Sequence, residues 1–132
     1  MEIRTSYAAD NYTIHVDHGI LESQLADYSA DYDVVHFLVD RNVYQLYKNS
    51  VLSFIDSPII LEGGEASKSF DAFKHITESL LERGIQRHHL IVVVGGGAAG
   101  DAGGFAAATV LRGVDYIQVP TTLLAHDSSI GG

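Results

Sequence analysis

The sequence predicts an α/β fold in which a parallel sheet carries helices on both faces. Short apolar runs rich in β-branched residues alternate along the chain with segments whose apolar residues recur at helical spacing. The clearest strand, residues 90–94 (LIVVV), is followed at once by a glycine-rich turn and a segment of small residues with helical character. Strand and helix therefore alternate, as they do in a sheet that is wound with helices.

Each element is predicted from its own pattern. The predicted strands are residues 2–7, 12–16, 34–39, 58–61, 90–94 and 116–119, with turn residues Asp10 and Asn11 between the first two. The predicted helices are residues 20–28, residues 43–54 with Asn42 as N-cap, a segment carrying Phe73, Ile76, Leu80 and Leu81 that Gly84 ends, and residues 101–111. These elements form one domain over residues 1–132.

Composition restricts the classes of function. The chain of 132 residues has a net charge of −9, which argues against nucleic acid and against anionic membranes as partners. It has no cysteine, so disulfides and thiolate chemistry are excluded. The N-terminal segment has no apolar core of signal-peptide length, and no apolar run reaches the length of a membrane span. We therefore expect a cytoplasmic protein.

A glycine motif carries the main functional signal. Gly95, Gly97 and Gly100 match G-x-G-x-x-G between a predicted strand and a predicted helix. Glycines let the backbone approach a pyrophosphate, and the N–H groups of the helix N-terminus then face the anion. The motif therefore predicts a Rossmann-like dinucleotide site. The alternative is that these glycines, with Gly103 and Gly104, serve only to pack the helix on the sheet.

The loops after the parallel strands should meet at one edge of the sheet, where ligands bind. These loops are residues 40–42, 63–68, 95–101 and 120–122. They offer Asp40 as an acceptor for the adenosine ribose, a glutamate, a lysine, backbone donors and two threonine hydroxyls, which together suit a dinucleotide. Each charged residue also has a structural alternative. Asp40 can make a turn or cap a helix, Asp101 can stabilise the first turn of a helix, and Arg112 can complement a helix C-terminus instead of holding a phosphate.

The seven histidines do not have the spacing of a metal site. No pair forms H-x-x-x-H or H-E-x-x-H, and the side chains of His88 and His89 would point apart in either a helix or a strand. We therefore interpret the histidines as surface or packing residues and expect no metal ligands in this chain.

Residues 92–132 carry the blocks GGG-x-x-GD, G-F-x-A-A-T, RG, Q-V-P-T-T-L-L-A and DSS-x-GG, in this order. In these blocks the chain resembles the 3-dehydroquinate synthase family. The segment GGEASK, residues 63–68, is similar to the G-E-x-x-K loop of that family. The resemblance covers essentially the whole chain and is tightest over residues 92–132.

The resemblance implies the NAD-binding N-terminal domain of an enzyme of the shikimate pathway, which serves aromatic amino acid biosynthesis. The implied reaction converts 3-deoxy-D-arabino-heptulosonate 7-phosphate to 3-dehydroquinate and phosphate. It implies that NAD transiently accepts a hydride from a substrate hydroxyl, which a divalent metal, zinc or cobalt, polarises. It also implies that the complete enzyme is a homodimer.

The resemblance also assigns roles to residues of this chain. The residues it assigns to NAD are Asp40, Asn42, Glu65, Lys68, Gly96, Gly97, Gly100, Asp101, Thr121 and Thr122. Of these, Asp40 and Asn42 would hold the adenosine side. Asp127 would lie at the reacting end of the substrate, and Arg112 would bind the substrate phosphate across a dimer interface.

Some features depart from the family pattern. Ala98 and Ala99 stand where bulkier residues are common, and LLAHDSS is one residue shorter than the frequent family form. Family members continue past the position of Gly132 with a lysine that contacts cofactor and substrate, and with a helical C-terminal domain that holds the metal. We therefore expect a truncated chain that is inactive alone. The alternatives are a related sugar-phosphate cyclase, a metal-dependent polyol dehydrogenase and a non-catalytic nucleotide-binding fragment.

Overall fold

The computed structural model describes residues 2–6, 11–15, 21–62 and 70–121. The strands are β1 (Glu2–Ser6), β2 (Asn11–His15), β3 (Val35–Asp40), β4 (Ile59–Leu61), β5 (Leu90–Val94) and β6 (Asp115–Val119). The helices are α1 (Leu21–Tyr28), α2 (Arg41–Tyr47), α3 (Phe70–Glu82) and α4 (Gly97–Thr109), and a 3₁₀ turn at Val110–Arg112 follows α4. Within these ranges no helix is long and apolar enough to cross a membrane.

The strands form one six-stranded sheet in the order β2-β1-β6-β5-β3-β4. The four strands β4, β3, β5 and β6 are parallel, which confirms the predicted parallel sheet. Strand β1 pairs with β2 on one side and with β6 on the other, in the antiparallel sense on both, so the complete sheet is mixed. An antiparallel edge on a parallel sheet is common in α/β folds.

Helices cover both faces of the sheet, as predicted. Strand β5 is fully buried, and its successive side chains point to opposite faces. Val92 and Val94 belong to a core cluster with residues of α1 and α2. Ile91 and Val93 belong to a second cluster, on the other face, with residues of α3 and α4. The unbroken apolar sequence of β5 follows from this burial on both sides.

Three predicted boundaries are wrong. Helix α2 ends at Tyr47 rather than at residue 54, and the chain continues in turns in which the Ser50 hydroxyl donates to the Tyr47 carbonyl. Lys48-Asn49-Ser50 ends this helix because Asn and Ser side chains compete for backbone hydrogen bonds. Asp40 caps α2 in place of Asn42. Helix α4 begins at Gly97, four residues earlier than predicted, since Ala98 and Ala99 are strong helix formers and the turn before them is short.

Helix α3 ends just before Gly84, as the sequence predicts. Gly84 has a φ of 74°, in the left-handed region that favours glycine. Its N–H donates to the Leu81 carbonyl, and the N–H of Ile85 donates to the Leu80 carbonyl. This is a Schellman motif, and Leu80 and Ile85 are both buried in the same core cluster. The motif turns the chain back towards β5.

Two histidines are buried at the amino edge of the sheet, 5% and 6% exposed. Nε2 of His36 lies 3.0 Å from Nδ1 of His89, and the N–H of Gln86 donates to the same Nδ1 at 3.1 Å. Nδ1 of His89 is therefore an acceptor, and the shared proton belongs to His36. The packing role predicted for histidines is confirmed for this pair. His88 and His89 lie outside helix and strand, so the prediction made for regular structure does not apply to them, and their ring centroids are 4.8 Å apart.

We expect this pair to make the fold sensitive to acid. Burial, the neighbouring His89 and Arg83 lower the pKa of His36, while burial and His88 lower the pKa of His89 against the opposing effect of Asp33. Histidines with lowered pKa values stabilise the fold above their unfolded value, about 6.5, and that contribution is lost as the pH falls towards the folded-state values. Thermal melts at about pH 7.5 and about pH 5.5 should show the loss.

The variant His36→Gln keeps an N–H donor without a group that titrates in this range. We expect it to narrow the difference between the two melting temperatures by about 4 °C. His75→Gln is the matched control, because His75 is exposed on α3 and is not among the groups that shift the pKa of His36 or His89. Equal narrowing in both variants, or in neither, would contradict the assignment to the buried pair.

Candidate functional site

The candidate site lies where the order of the parallel strands reverses. From β3 the chain passes through α2 to β4 on one side, whereas from β5 it passes through α4 to β6 on the other side. The carboxyl ends of β3 and β5 are therefore adjacent, and an open α/β sheet has a crevice outside the strand ends at such a point. Ligands of open α/β sheets bind at such a switch point. Asp40 ends β3 and the glycine turn follows β5, so the fold brings together the two features that the sequence separates by more than fifty residues.

The first glycine of the turn is required by close packing. Gly95 has a φ of 156°, and a Cβ built on it would lie 2.9 Å from Cβ of Ala99 and 3.0 Å from Cβ of Asp40. Real Cβ atoms do not approach this closely, so a larger residue would push the turn away from β3. The N–H of Gly95 donates to the Val119 carbonyl at 3.1 Å, which ties the turn to β6 as well. The turn is thus held between both neighbouring strands.

The next two glycines form the N-terminus of α4. Gly96 is the N-cap residue and makes no side-chain cap, and both Gly96 and Gly97 are exposed. Apart from its chain neighbours and the backbone of its own helix, no atom of the described residues lies within 4 Å of a Cβ built on Gly97. The first N–H groups of a helix have no partner within it. The crevice therefore presents open backbone donors at the positive end of a 13-residue helix, which suits an anion.

The remaining glycines of α4 lie against the sheet. Gly100 and Gly103 are buried, and a Cβ on Gly100 would collide with the end of the Gln118 side chain. A Cβ on Gly103 would lie 2.5 Å from Cγ2 of Val93, and one on Gly104 would lie 2.9 Å from the hydroxyl of Tyr116. The packing alternative thus describes Gly103 most directly, since Gln118 and Tyr116 meet the other two positions with the ends of their side chains. A Cβ on Gly97 meets no described atom outside its chain neighbours and the backbone of its own helix. A direct contact of Gly100 with a cofactor stays a prediction.

The position of Asp40 is compatible with both of its predicted roles, the cap of a helix and the acceptor for a ribose hydroxyl. Its Oδ1 accepts the N–H of Val43 at 3.1 Å and caps α2. The side chain is only half-buried, and one oxygen is enough for the cap. The second oxygen leaves an acceptor at the rim of the crevice, where a ribose hydroxyl would donate.

Three other predicted cofactor residues lie on the segments that follow β6, β5 and β3. The Oγ1 of Thr121, which follows β6, lies 3.9 Å from a Cβ built on Gly96. Asp101 is exposed and lies one turn after Gly97 on the same side of α4. It is not in the first turn of the helix, because α4 begins earlier than predicted. Asn42 is exposed in the first turn of α2, beside Asp40.

A family model described as the N-terminal part of 3-dehydroquinate synthase matches residues 58–132, more than half of the chain. The chain belongs to the 3-dehydroquinate synthase family. A 3-dehydroquinate synthase of Staphylococcus haemolyticus (strain JCSC1435) is 45% identical to it over 136 residues. One of Staphylococcus epidermidis (strain ATCC 12228 / FDA PCI 1200) is 46% identical over 136 residues. Both alignments cover 100% of this chain, which spans 38% of the length of these relatives.

Solved structures share the fold. The chain is similar to a 2-deoxy-scyllo-inosose synthase complexed with carbaglucose-6-phosphate, NAD+ and Co2+, with a TM-score of 0.65 and 25% identity over 91% of this chain and 35% of that one. It is also similar to a 2-epi-5-epi-valiolone synthase from Streptomyces hygroscopicus subsp. jinggangensis 5008 with NAD+ and Zn2+ bound. That likeness has a TM-score of 0.59 and 21% identity over 76% of this chain and 31% of that one, and it shows the fold alone.

Arg112 lies far from the crevice of its own chain. It is exposed in the turn after α4, whose 13 residues span about 20 Å. The turn leads into the amino end of β6, at the opposite edge of the sheet from Gly97. Leu111 and Arg112 have φ values of 48° and 66°, so two successive non-glycine residues adopt the left-handed conformation. Each costs roughly 1–2 kcal/mol.

Some predicted residues lie outside the described ranges. These residues are Glu65, Lys68, Thr122 and Asp127. Among the described residues, no three His, Asp or Glu side chains converge as they would around a metal ion.

One ion pair beside the crevice was missed from the sequence. Arg41 follows Asp40 and contacts Glu62, which follows β4. The parallel register pairs Asp40 with Leu61, so it places the next residues of the two strands side by side. Strand order and register were needed to find the pair. Arg41 and Glu62 also line a cavity of about 490 Å³ between β4 and α3, and neither Asp40 nor the glycine turn lines that cavity.

Proposed function

We propose that this chain is the NAD-binding part of a 3-dehydroquinate synthase, with residues 1–132 as its N-terminal domain. The observation that carries the proposal is the contact of the glycine turn with Asp40 at the point where the strand order reverses. The membership of the chain in the family supports it. The similar 2-deoxy-scyllo-inosose synthase, which is complexed with NAD+, supports it as well. We infer a cytoplasmic location, as expected for a biosynthetic enzyme.

The residues of the crevice fit a dinucleotide. The N–H groups at the N-terminus of α4 would bind the pyrophosphate over Gly96 and Gly97, where the backbone is exposed. Asp40 would accept a hydroxyl of the adenosine ribose with its second oxygen, while Asn42 lies beside it. The other residues proposed to contact NAD are Glu65, Lys68, Gly100, Asp101, Thr121 and Thr122. When bound, NAD supplies an acceptor for a hydride from the substrate.

The proposed substrate is 3-deoxy-D-arabino-heptulosonate 7-phosphate, and the products are 3-dehydroquinate and phosphate. Asp127 would lie at its reacting end. The exposed guanidinium of Arg112 would bind the phosphate of substrate held by a neighbouring copy, since it is too far from the crevice of its own chain. Strained backbone often occurs at functional sites, and the two left-handed residues that present this guanidinium support the assignment. A homodimer is therefore part of the proposal.

A divalent metal, zinc or cobalt, completes the proposed enzyme. The described residues do not provide a set of three ligands, so the ligands are proposed to lie in a part of the enzyme beyond these residues. Of the two similar structures, the 2-deoxy-scyllo-inosose synthase is complexed with Co2+ and the 2-epi-5-epi-valiolone synthase has Zn2+ bound. The role of this chain is then to hold the cofactor and to position it.

The related sugar-phosphate cyclases are the second candidate. Identity favours 3-dehydroquinate synthase, since the chain is 45% identical to such an enzyme from Staphylococcus haemolyticus and 25% identical to 2-deoxy-scyllo-inosose synthase. A polyol dehydrogenase or a module without catalysis is less consistent with the family match over residues 58–132.

The 132-residue chain on its own is expected to bind NAD and to release no phosphate from 3-deoxy-D-arabino-heptulosonate 7-phosphate. Binding would be measured by calorimetry, and phosphate release by a colorimetric assay with zinc or cobalt present. The chain supplies the crevice but no cluster of metal ligands among its described residues. A folded chain that fails to bind NAD would contradict the proposed site. Phosphate release by the chain alone would contradict the proposal that the metal ligands lie beyond the described residues.

A further inference from the structure

The cation that directly follows the proposed ribose acceptor, Arg41, is paired with a carboxylate. Nε of Arg41 donates to Oε1 and Oε2 of Glu62 at 3.0 and 3.2 Å, and Nη2 donates to Oε1 at 2.5 Å. A planar guanidinium fits a carboxylate in this way, with two of its nitrogens bonded. The contact raises the pKa of Arg41 and lowers the pKa of Glu62, mainly through the hydrogen bonds between them. Both groups therefore stay charged across the neutral range.

The pair is directed away from the crevice. Arg41 is the first residue of α2 and follows Asp40 directly, so its backbone lies at the rim. Glu62 follows β4, and β4 and β5 lie on opposite sides of β3. The guanidinium is thus held over β4, on the far side of β3 from the glycine turn. Without Glu62, the long and exposed side chain of Arg41 can reach back towards Asp40.

The chemistry at this position decides which dinucleotide fits. In sheets of this kind, an acid at the strand end accepts the ribose 2′-hydroxyl of NAD, whereas a nearby arginine accommodates the 2′-phosphate of NADP. This chain has both groups in sequence, Asp40 and then Arg41. A free guanidinium beside Asp40 would attract the 2′-phosphate and offset the repulsion by the aspartate.

We propose that Glu62 determines the specificity for the dinucleotide by withdrawing Arg41 from the ribose pocket, so that nucleotides with a 2′-phosphate are excluded. The inference rests on the proposed NAD site. Glu62 acts through Arg41 and adds a negative charge of its own, while Asp40 makes the direct contact with the ribose. The preference of the chain for NAD over NADP is therefore expected to depend on three residues, Asp40, Arg41 and Glu62, and not on the ribose-binding acid alone.

The test measures the dissociation constants of NAD and NADP by calorimetry for the wild-type chain and for Glu62→Gln. We expect the preference for NAD to fall about tenfold, through tighter binding of NADP, with the affinity for NAD nearly unchanged. The double variant Arg41→Gln/Glu62→Gln should return the preference towards the wild-type value, because no guanidinium is left to bind the phosphate. This return separates a role of Arg41 from a general effect of charge.

Glu78→Gln is the matched control. Glu78 is an exposed glutamate on α3 whose side chain is 60% exposed, against 55% for Glu62, and it also has a cationic partner, Lys74. The control changes the net charge by the same amount and should leave the preference unchanged. If the wild-type chain binds NAD and Glu62→Gln keeps the same preference for NAD over NADP, the inference is overturned but the proposed NAD site is not. A folded wild-type chain that binds neither nucleotide would overturn the proposed site and the inference together.

Discussion

Replacing Gly97 with valine is expected to weaken the binding of NAD at least about 100-fold and to leave the fold intact. The pyrophosphate would lie against the exposed backbone of Gly96 and Gly97, and a branched side chain at the first helical position would keep it at a distance. Each hydrogen bond from a backbone N–H to a charged oxygen contributes about 1.5–3 kcal/mol. The loss of two such bonds accounts for the expected effect.

The position makes this test selective. Apart from its chain neighbours and the backbone of its own helix, no described atom lies within 4 Å of a Cβ at Gly97, so the substitution disturbs no packing of α4 on other elements that the structure describes. Calorimetry gives the affinity, and a thermal melt of the same sample reports the fold. Ala108→Val is the control, because Ala108 is exposed near the other end of the same helix. A Gly97→Val chain that binds NAD as tightly as the wild type would refute the cofactor role of the turn.

The sequence was sufficient for the elements whose signals are local. Strand β5 was predicted at its observed bounds, because a run of five buried apolar residues between turn signals has one ready interpretation. The end of α3 was predicted from Gly84, since a glycine after a helical pattern is a common stop signal. Gly84 does adopt the left-handed conformation that favours glycine. The prediction that Asp40 and the glycine turn meet at one edge of the sheet also anticipated the fold, since β3 does lie beside β5.

The features that depend on contacts between distant residues could not be predicted in this way. Asp40 and Asn42 are both good N-caps by residue type, and only the observed hydrogen bond to Val43 decides between them. The start of α4 was placed too late because four glycines among residues 95–100 resemble a long turn, whereas two of them already belong to the helix. The Arg41–Glu62 pair depends on the register of β3 with β4, which no spacing in the sequence reveals.

The same substitution at Gly103 should lower the melting temperature, which Gly97→Val is expected to leave unchanged. Gly103→Val is expected to destabilise the fold by about 3 kcal/mol, which lowers the melting temperature by about 12 °C. A Cβ at this position would lie 2.5 Å from Cγ2 and 3.0 Å from Cγ1 of Val93. Val93 is fully buried on the central strand β5 and has no space into which it can move, so α4 itself must shift.

Gly97→Val is the matched control for this experiment, because it adds the same side chain to the same helix without a packing contact. Equal melting temperatures for wild type and Gly97→Val, with a large decrease for Gly103→Val, would show that the glycines of one helix have two separate functions. A Gly103→Val chain that melts within about 2 °C of the wild type would contradict the close contact of α4 with β5. In that case the glycines after residue 100 would need an explanation other than packing.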